Sequence, residues 1–189
     1  MSERAHSKDD ARQGYLVALL VVVVSVGIGL FGLPRLGRRV IHSESSLVGR
    51  PAPDFILPAL GASGLGKPQR LSDLQGKTVL LDFFASWCGP CRQQAPIVGR
   101  IAQRLAGAKL AVYGVNTSDQ FADAVHYFQE HQPSYPILFD ADNQAANAFD
   151  VTGLPTLMVI DKGGIVRAVE TRVVGQSELE SLIQEAQGG

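Results

Sequence analysis

Thr78-Val79-Leu80-Leu81-Asp82-Phe83-Phe84 runs straight into Ala85-Ser86-Trp87-Cys88-Gly89-Pro90-Cys91-Arg92. The first seven residues are apolar on both faces except at Asp82, as in a central strand covered by helices on both sides. Downstream, Ala95, Val98, Ile101, Ala102 and Leu105 recur at helical spacing and predict a helix over 92–105. Cys88 therefore stands where a buried strand gives way to a helix. A thiol there faces the positive end of the helix dipole and N–H groups without partners. Both favour the thiolate, which is the nucleophilic form. Pro90 suits a first helical turn because it has no N–H to leave unsatisfied. Gly89 leaves room beside the sulfur for a substrate backbone. Cys91, one turn into the helix, is placed to resolve a mixed disulfide by thiol–disulfide exchange.

These two cysteines are the only ones in 189 residues. A stapling framework uses several cysteines far apart in sequence. A bridge between Cys88 and Cys91 closes a tiny loop and adds little entropic stability, so the pair reads as chemistry. Zinc needs about four ligands, and none of His6, His42, His126 and His131 has ligand spacing to the cysteines. His126 and His131 read as surface residues of a helix over 119–131. No metal or organic cofactor is expected.

Trp87 fits either a core aromatic or, better beside Cys88, an apolar platform for docking. Asp82 is costly in an apolar strand unless neutral or paired. It is either a strand-edge carboxylate with access to water or a buried carboxyl of raised pKa that exchanges a proton with Cys91. The second reading is adopted. Gly153-Leu154-Pro155-Thr156 opens a strand, where a cis bond before Pro155 would present the backbone of Leu154 to an extended substrate.

Residues 1–50 carry seven Lys/Arg and four Asp/Glu, whereas residues 51–189 carry ten and fourteen. The mildly acidic larger part argues against a nucleic-acid partner. Residues 15–33 contain no charge; as a helix they span about 28 Å, close to the hydrocarbon core of a bilayer. A cleaved signal peptide would have a shorter apolar run ending in a small-x-small site. Here the run meets Pro34, Arg35, Arg38 and Arg39, so an uncleaved anchor is expected. Three basic residues on each flank leave its orientation a tie. The expected organisation is a short N-terminus (1–14), an anchor (15–33), a polar linker (34–50) and an α/β domain (51–187).

Within that domain the remaining pattern is strand 110–115, a helix capped by Ser118 with Phe121, Ala124, Val125 and Phe128 on one face, and strand 137–139. Strands 156–160 and 165–169 flank an Asp161–Gly164 hairpin turn. Ser177 and Glu180 have capping-box spacing for a last helix ending near Ala186.

Together these residues resemble the thioredoxin superfamily, and within it the TlpA/ResA/CcmG group of membrane-tethered thiol:disulfide oxidoreductases. The likeness covers roughly residues 48–187. It rests on Gly49-Arg50-Pro51-Ala52-Pro53-Asp54-Phe55, on Leu71-Ser72-Asp73-Leu74-Gln75-Gly76-Lys77, on Phe84 through Arg92, on Pro96 in the active-site helix and on Val151–Thr156 as the cis-proline segment. The resemblance implies a thioredoxin-like fold, a central mixed sheet flanked by helices, held outside the cytoplasmic membrane with the N-terminus inside. Catalysis falls to Cys88, Cys91 and Asp82; substrate binding falls to Trp87, Gly89, Pro90, Leu154 and Pro155. The implied partners are protein thiol or disulfide substrates, with apocytochrome c as the substrate class, and a membrane electron donor. Gly89-Pro90 is the dipeptide of reducing thioredoxins, whose potential is roughly −270 mV, which favours a reductase.

Two residues depart from the group: Phe84 where Trp is common, and Gln94 where many ResA- and TlpA-like proteins have a glutamate. Asp82 matches the buried aspartate of ordinary thioredoxins, so proton handling is expected through Asp82 alone. The rival functions are a disulfide oxidase, a redoxin-type thiol peroxidase and a non-catalytic redox-sensing module. A peroxidase would carry Thr-x-x-Cys, and here the Thr position is Ala85.

Overall fold

The computed structural model describes Leu19 and Leu20, residues 45–107 and residues 109–188. The chain divides into two units, 1–41 and 42–189. Apart from the helical Leu19 and Leu20, the expected N-terminus and anchor lie outside the described residues, as does most of the expected linker. No helix among the described residues is long and apolar enough to cross a membrane.

The second unit is built on one seven-stranded mixed sheet in the order β2-β1-β5-β4-β3-β6-β7. Inside the sheet, between β4 and β6, lies β3 (Thr78–Phe84), buried at every position. It pairs in parallel with β4 (Leu110–Thr117), which pairs in parallel with β5 (Ile137–Asp140). On its other side β3 pairs antiparallel with β6 (Thr156–Ile160), which turns through Asp161–Gly164 into antiparallel β7 (Val166–Glu170). Asp161 shapes this expected turn by accepting the N–H groups of Gly163 and Ile165, each at 2.9 Å.

Alternation along β3 sorts its side chains. Leu80 and Phe84 join a core with Val98 and Ile101 of α1 (Gly89–Leu105), Ala124 and Tyr127 of α2 (Phe121–His131), and Leu179 and Ile183 of α4 (Gln176–Gln187). Val79, Leu81 and Phe83 face the opposite core, with Leu71 and Leu74 of a 3₁₀ turn and Ala145 and Ala146 of the short α3 (Gln144–Ala148). Asp82, in register with Leu80 and Phe84, therefore points under α1.

Several expectations are corrected. A hairpin of β1 (Ile56–Gly61) and β2 (Gly64–Arg70) forms the sheet edge, where the sequence suggested no strands. Pro58 pairs opposite Pro68 with a register shift beside it; such proline pairs are tolerated at an edge and erase the strand pattern. Ser118 does not cap α2. Its φ is +56°, and its N–H binds Asn143 Oδ1 at 2.7 Å, leaving Gln120 at the cap. The capping box at Ser177 and Glu180 does not form. Gly175 is the cap, and Glu180 accepts from Arg104 at 2.8 Å and Gln176 at 2.9 Å. On α1 the buried stripe includes Cys91 and Gln94, while Leu105 is exposed. On α2, Tyr127 is buried and Phe121 is exposed, edge-on to Phe139.

Gly114 of β4 lies beside Asp82 in the register. A Cβ there would meet Ile137 Cδ1 at 2.5 Å and Phe84 Cε1 and Tyr135 Cε2 at 3.1 Å. Overpacking at such a site costs about 1–3 kcal/mol. Gly114→Ala is accordingly expected to lower the unfolding free energy by that amount, read as a lower urea midpoint at an unchanged m-value. An unchanged midpoint would show that these rings move aside freely.

Candidate functional site

The C-terminal ends of β3, β4 and β5 place their following loops along one edge of the sheet. Cys88 closes the first loop and caps α1. Its backbone is extended (φ −79°, ψ 105°), and its Sγ accepts the N–H of Cys91 at 3.2 Å. First-turn amides have no partner inside the helix, so the sulfur takes the role that a serine or aspartate oxygen fills at other caps. Cys88 and Cys91 are joined, with S–S 2.00 Å and Cα–Cα 5.3 Å. Both residues are nearly buried, whereas the neighbouring Trp87 is 64% exposed. The Trp87 indole N–H donates to Ser118 O at 3.0 Å, which fixes an apolar ring on the surface. Gly89 and Pro90 are exposed, and a Cβ at Gly89 would meet nothing within 4 Å. The space beside Gly89 is therefore open.

The loop before Cys88 is held by a carboxylate that sequence reasoning missed. Asp119, from the β4–α2 connection, accepts the Ser86 N–H at 2.6 Å, the Ser86 hydroxyl at 2.8 Å and the Asn116 amide at 2.6 Å. Arg92 donates to Ser86 O at 3.1 Å. Hydrogen bonds to a charged group are among the strongest available, so the segment leading to Cys88 is fixed from two sides. An Asn-x-x-Asp run after a buried strand is too common a pattern to have flagged this role.

Pro155 arrives at the same edge. Phe83 pairs with Thr156, so Pro155 lies where β3 releases the Ala85–Cys88 loop. The Leu154–Pro155 peptide is cis. Leu154 is half-buried and packs against the cluster that contains Cys88 and Cys91. His126 and His131 lie on α2, with His131 stacked on Tyr127 at 4.3 Å between ring centroids.

Asp82 is 1% exposed. Its Oδ2 accepts the hydroxyl of Tyr135 at 3.0 Å, and its Oδ1 has no hydrogen-bond partner among the described residues. Burial pushes its carboxyl up to about 7, against the smaller opposing pull of the Tyr135 hydrogen bond. Burial, reinforced by the nearby Asp82 carboxylate, pushes the Tyr135 phenol well above its usual range. Gln94 is fully buried under the same helix. Its Oε1 accepts the Val174 N–H at 2.7 Å, while its Nε2 has no partner among the described residues. The edge thus combines a dithiol pair at a helix N-terminus with a carboxyl able to change protonation near neutral pH, which is what thiol–disulfide exchange requires.

The Asp82 shift fixes the sign of a pH effect on stability. The folded-state pKa is raised, so below the unfolded value of 3.8 the carboxyl is neutral in both states and ionisation adds no penalty to folding. As pH climbs from there toward about 7, the unfolded chain gains by ionising and the folded chain does not. Stability falls across that window by as much as about 4 kcal/mol and is flat above it. Asp82→Asn should match the wild type near the lower bound and exceed it by up to that amount at alkaline pH. Urea unfolding at a series of pH values, with the disulfide intact, checks this. A difference independent of pH would count against a buried, titrating carboxyl.

Residues 48–169 match the AhpC/TSA family. Thiol-disulfide oxidoreductase ResA of Geobacillus kaustophilus is 32% identical over 162 residues, covering 86% of this chain and 88% of that protein. Thiol:disulfide interchange protein DsbE of Pseudomonas aeruginosa is 34% identical over 135 residues, covering 70% and 71%. A crystal structure of a thioredoxin-family thiol:disulfide interchange protein from Chlorobium tepidum matches with a TM-score of 0.63 at 26% identity, covering 76% of this chain and 99% of that one. On the extent of these matches the chain belongs to the AhpC/TSA family, as a thiol-disulfide oxidoreductase of the ResA and DsbE type.

Proposed function

We propose that this oxidoreductase is a membrane-anchored reductase of disulfides in extracytoplasmic proteins, with apocytochrome c as its substrate class. The observation that carries the reading is Cys88 at the cap of α1, its sulfur on the Cys91 amide, above a buried Asp82. In the dithiol form the Cys88 thiolate attacks a substrate disulfide. One substrate sulfur leaves as thiolate, and the other is held in a mixed disulfide. Cys91 gives its proton to Asp82 and attacks Cys88 Sγ. The second substrate sulfur leaves with the electron pair of the broken bond. The substrate has then gained two electrons, and the Cys88–Cys91 disulfide has formed. A membrane dithiol donor returns the pair to its reduced form by the same exchange in reverse.

The exposed Trp87 ring and the open space at Gly89 and Pro90 support docking of a polypeptide beside Cys88, with the backbone of Leu154 before Pro155 as its extended partner. The apolar run over 15–33 supports the anchor, and the group's topology supports an extracytoplasmic domain. The chemistry uses only the cysteine pair and side-chain protons, so no cofactor enters it.

Cys91→Ser should trap a mixed disulfide with substrate proteins, visible as thiol-sensitive adducts on a non-reducing gel. Cys88→Ser should trap none, and the reverse pattern would exchange the two roles. Gln94→Glu adds a second buried carboxyl one turn beyond Cys91 on the same face of α1, and burial raises the pKa of such a group. The pH profile of insulin reduction should therefore move upward in this variant. An unmoved profile would show that position 94 has no influence on proton handling.

A further inference from the structure

Tyr135 belongs to no strand or helix and precedes β5. Its place is set by backbone. The Gly114 N–H donates to Pro136 O at 2.9 Å, which lays the Tyr135 ring over Gly114. A Cβ at Gly114 would come within 3.1 Å of that ring. On the other side, a Cβ at Gly99 of α1 would lie 2.9 Å from Ser134 Oγ and 4.0 Å from the Tyr135 ring. Two glycines, one on the sheet and one on the helix, thus leave a slot as wide as a phenol ring. The slot leads inward to Asp82 and outward to a cleft of about 490 Å³ lined by Arg92, Pro96, Tyr127, His131 and Tyr135 itself. Tyr135 is 6% exposed, and its hydroxyl makes the one hydrogen bond that Asp82 receives among the described residues.

We infer that Tyr135 is a positioning residue for proton transfer at Asp82: seated between Gly99 and Gly114, its hydroxyl binds Oδ2 and leaves Oδ1 as the free acceptor under α1, while its ring shuts the carboxyl off from the cleft. The inference rests on the reading of Asp82 given above and adds what controls it. The hydroxyl favours the carboxylate by hydrogen bonding, and the ring disfavours it by excluding water. One side chain therefore sets the proton affinity of Asp82 in both directions. The other titratable or charged groups on this side are Cys88 at the cap of α1, Cys91, Arg92 and Arg100 along it, Tyr127 and His131 of α2, and Asp119 before α2. The neighbouring strands place Gly114 and Leu157 beside Asp82. Beyond Leu157 lies Glu170, 3.1 Å from Arg172.

The test uses the full chain and two variants that move in opposite directions. Tyr135→Phe keeps the ring and removes the hydroxyl. The Asp82 carboxyl, followed by its ¹³C resonance across a pH titration, should titrate about half to one pH unit higher. The pH limb of the resolving step, read as single-turnover release of substrate thiol, should move up with it. Tyr135→Ala opens the cleft to water and should bring both down toward the ordinary carboxylate range. Asp82→Asn should abolish the limb.

If Tyr135→Phe leaves the titration and the limb in place while Asp82→Asn abolishes the limb, Tyr135 only fills space and the inference is overturned, with the role of Asp82 intact. If Asp82→Asn leaves the limb unchanged, Asp82 does not handle the proton and both readings fall. Opposite shifts in Tyr135→Phe and Tyr135→Ala, at an unchanged KM for substrate, support the inference, because simple loss of packing cannot raise the pKa in one variant and lower it in the other.

Discussion

A buried carboxyl group whose side chain makes one hydrogen bond among the described residues sits within β3. Everything around Asp82 is arranged by that burial. Leu80 and Phe84 on its own face, Val98 and Ile101 above it and Leu157 beside it are buried and apolar. Water is excluded, and the charged form is therefore expensive. A leucine at this position would make a better core. The structure instead keeps an acid whose burial works against stability at neutral pH, and such groups concentrate where protons are moved during chemistry. The strand that carries Asp82 also leads through the Ala85–Cys88 loop to the cysteine pair, so the destabilising group and the disulfide share one support.

The disulfide contributes little to holding the fold, since its loop spans only three residues of separation. The geometry around it is held by other means. The sheet fixes the end of β3, the Asp119 carboxylate fixes Ser86, and the start of α1 fixes the Cys91 amide against Cys88 Sγ. Opening the disulfide therefore breaks a bond inside a frame that does not depend on it. This suits a pair that must cycle between two redox states with the same surroundings. The exposed Trp87, tied through its indole N–H to Ser118 O, extends that frame to the surface where a substrate would arrive.

How much of this was legible follows from whether the signal is local. The junction of β3 and α1 is contiguous in sequence, so the buried strand, the cap position of Cys88 and the odd carboxyl at Asp82 could be read directly. The hairpin turn at Asp161–Gly164 was legible for the same reason. The β1–β2 edge was not, because Pro58 and Pro68 break any alternation. Ser118 and Ser177 show the limit of cap signals. Ser118 was claimed by Asn143 of a distant turn, and Ser177 fell inside the helix because Gly175 opened it. Tyr135 and Asp119 lie 53 and 33 residues from the groups they hold. No periodicity links such positions, and only the sheet order brings them together.

The same logic accounts for Gln94. It occupies the face of α1 that carries Cys91 and Val98, and it is as buried as Asp82. Its Oε1 serves a structural need by accepting the Val174 N–H ahead of α4, which a glutamate oxygen would meet equally well. What the amide avoids is a second ionisable group under one helix. A glutamate there would be a buried carboxyl among apolar neighbours, and burial raises the pKa of such a group. An amide at position 94 keeps the helix-to-loop contact without adding a second buried carboxyl to the one at Asp82. The cost is an amide nitrogen with no partner among the described residues. An unsatisfied neutral donor loses about 1–3 kcal/mol, whereas a glutamate ionised at the same buried place would lose more.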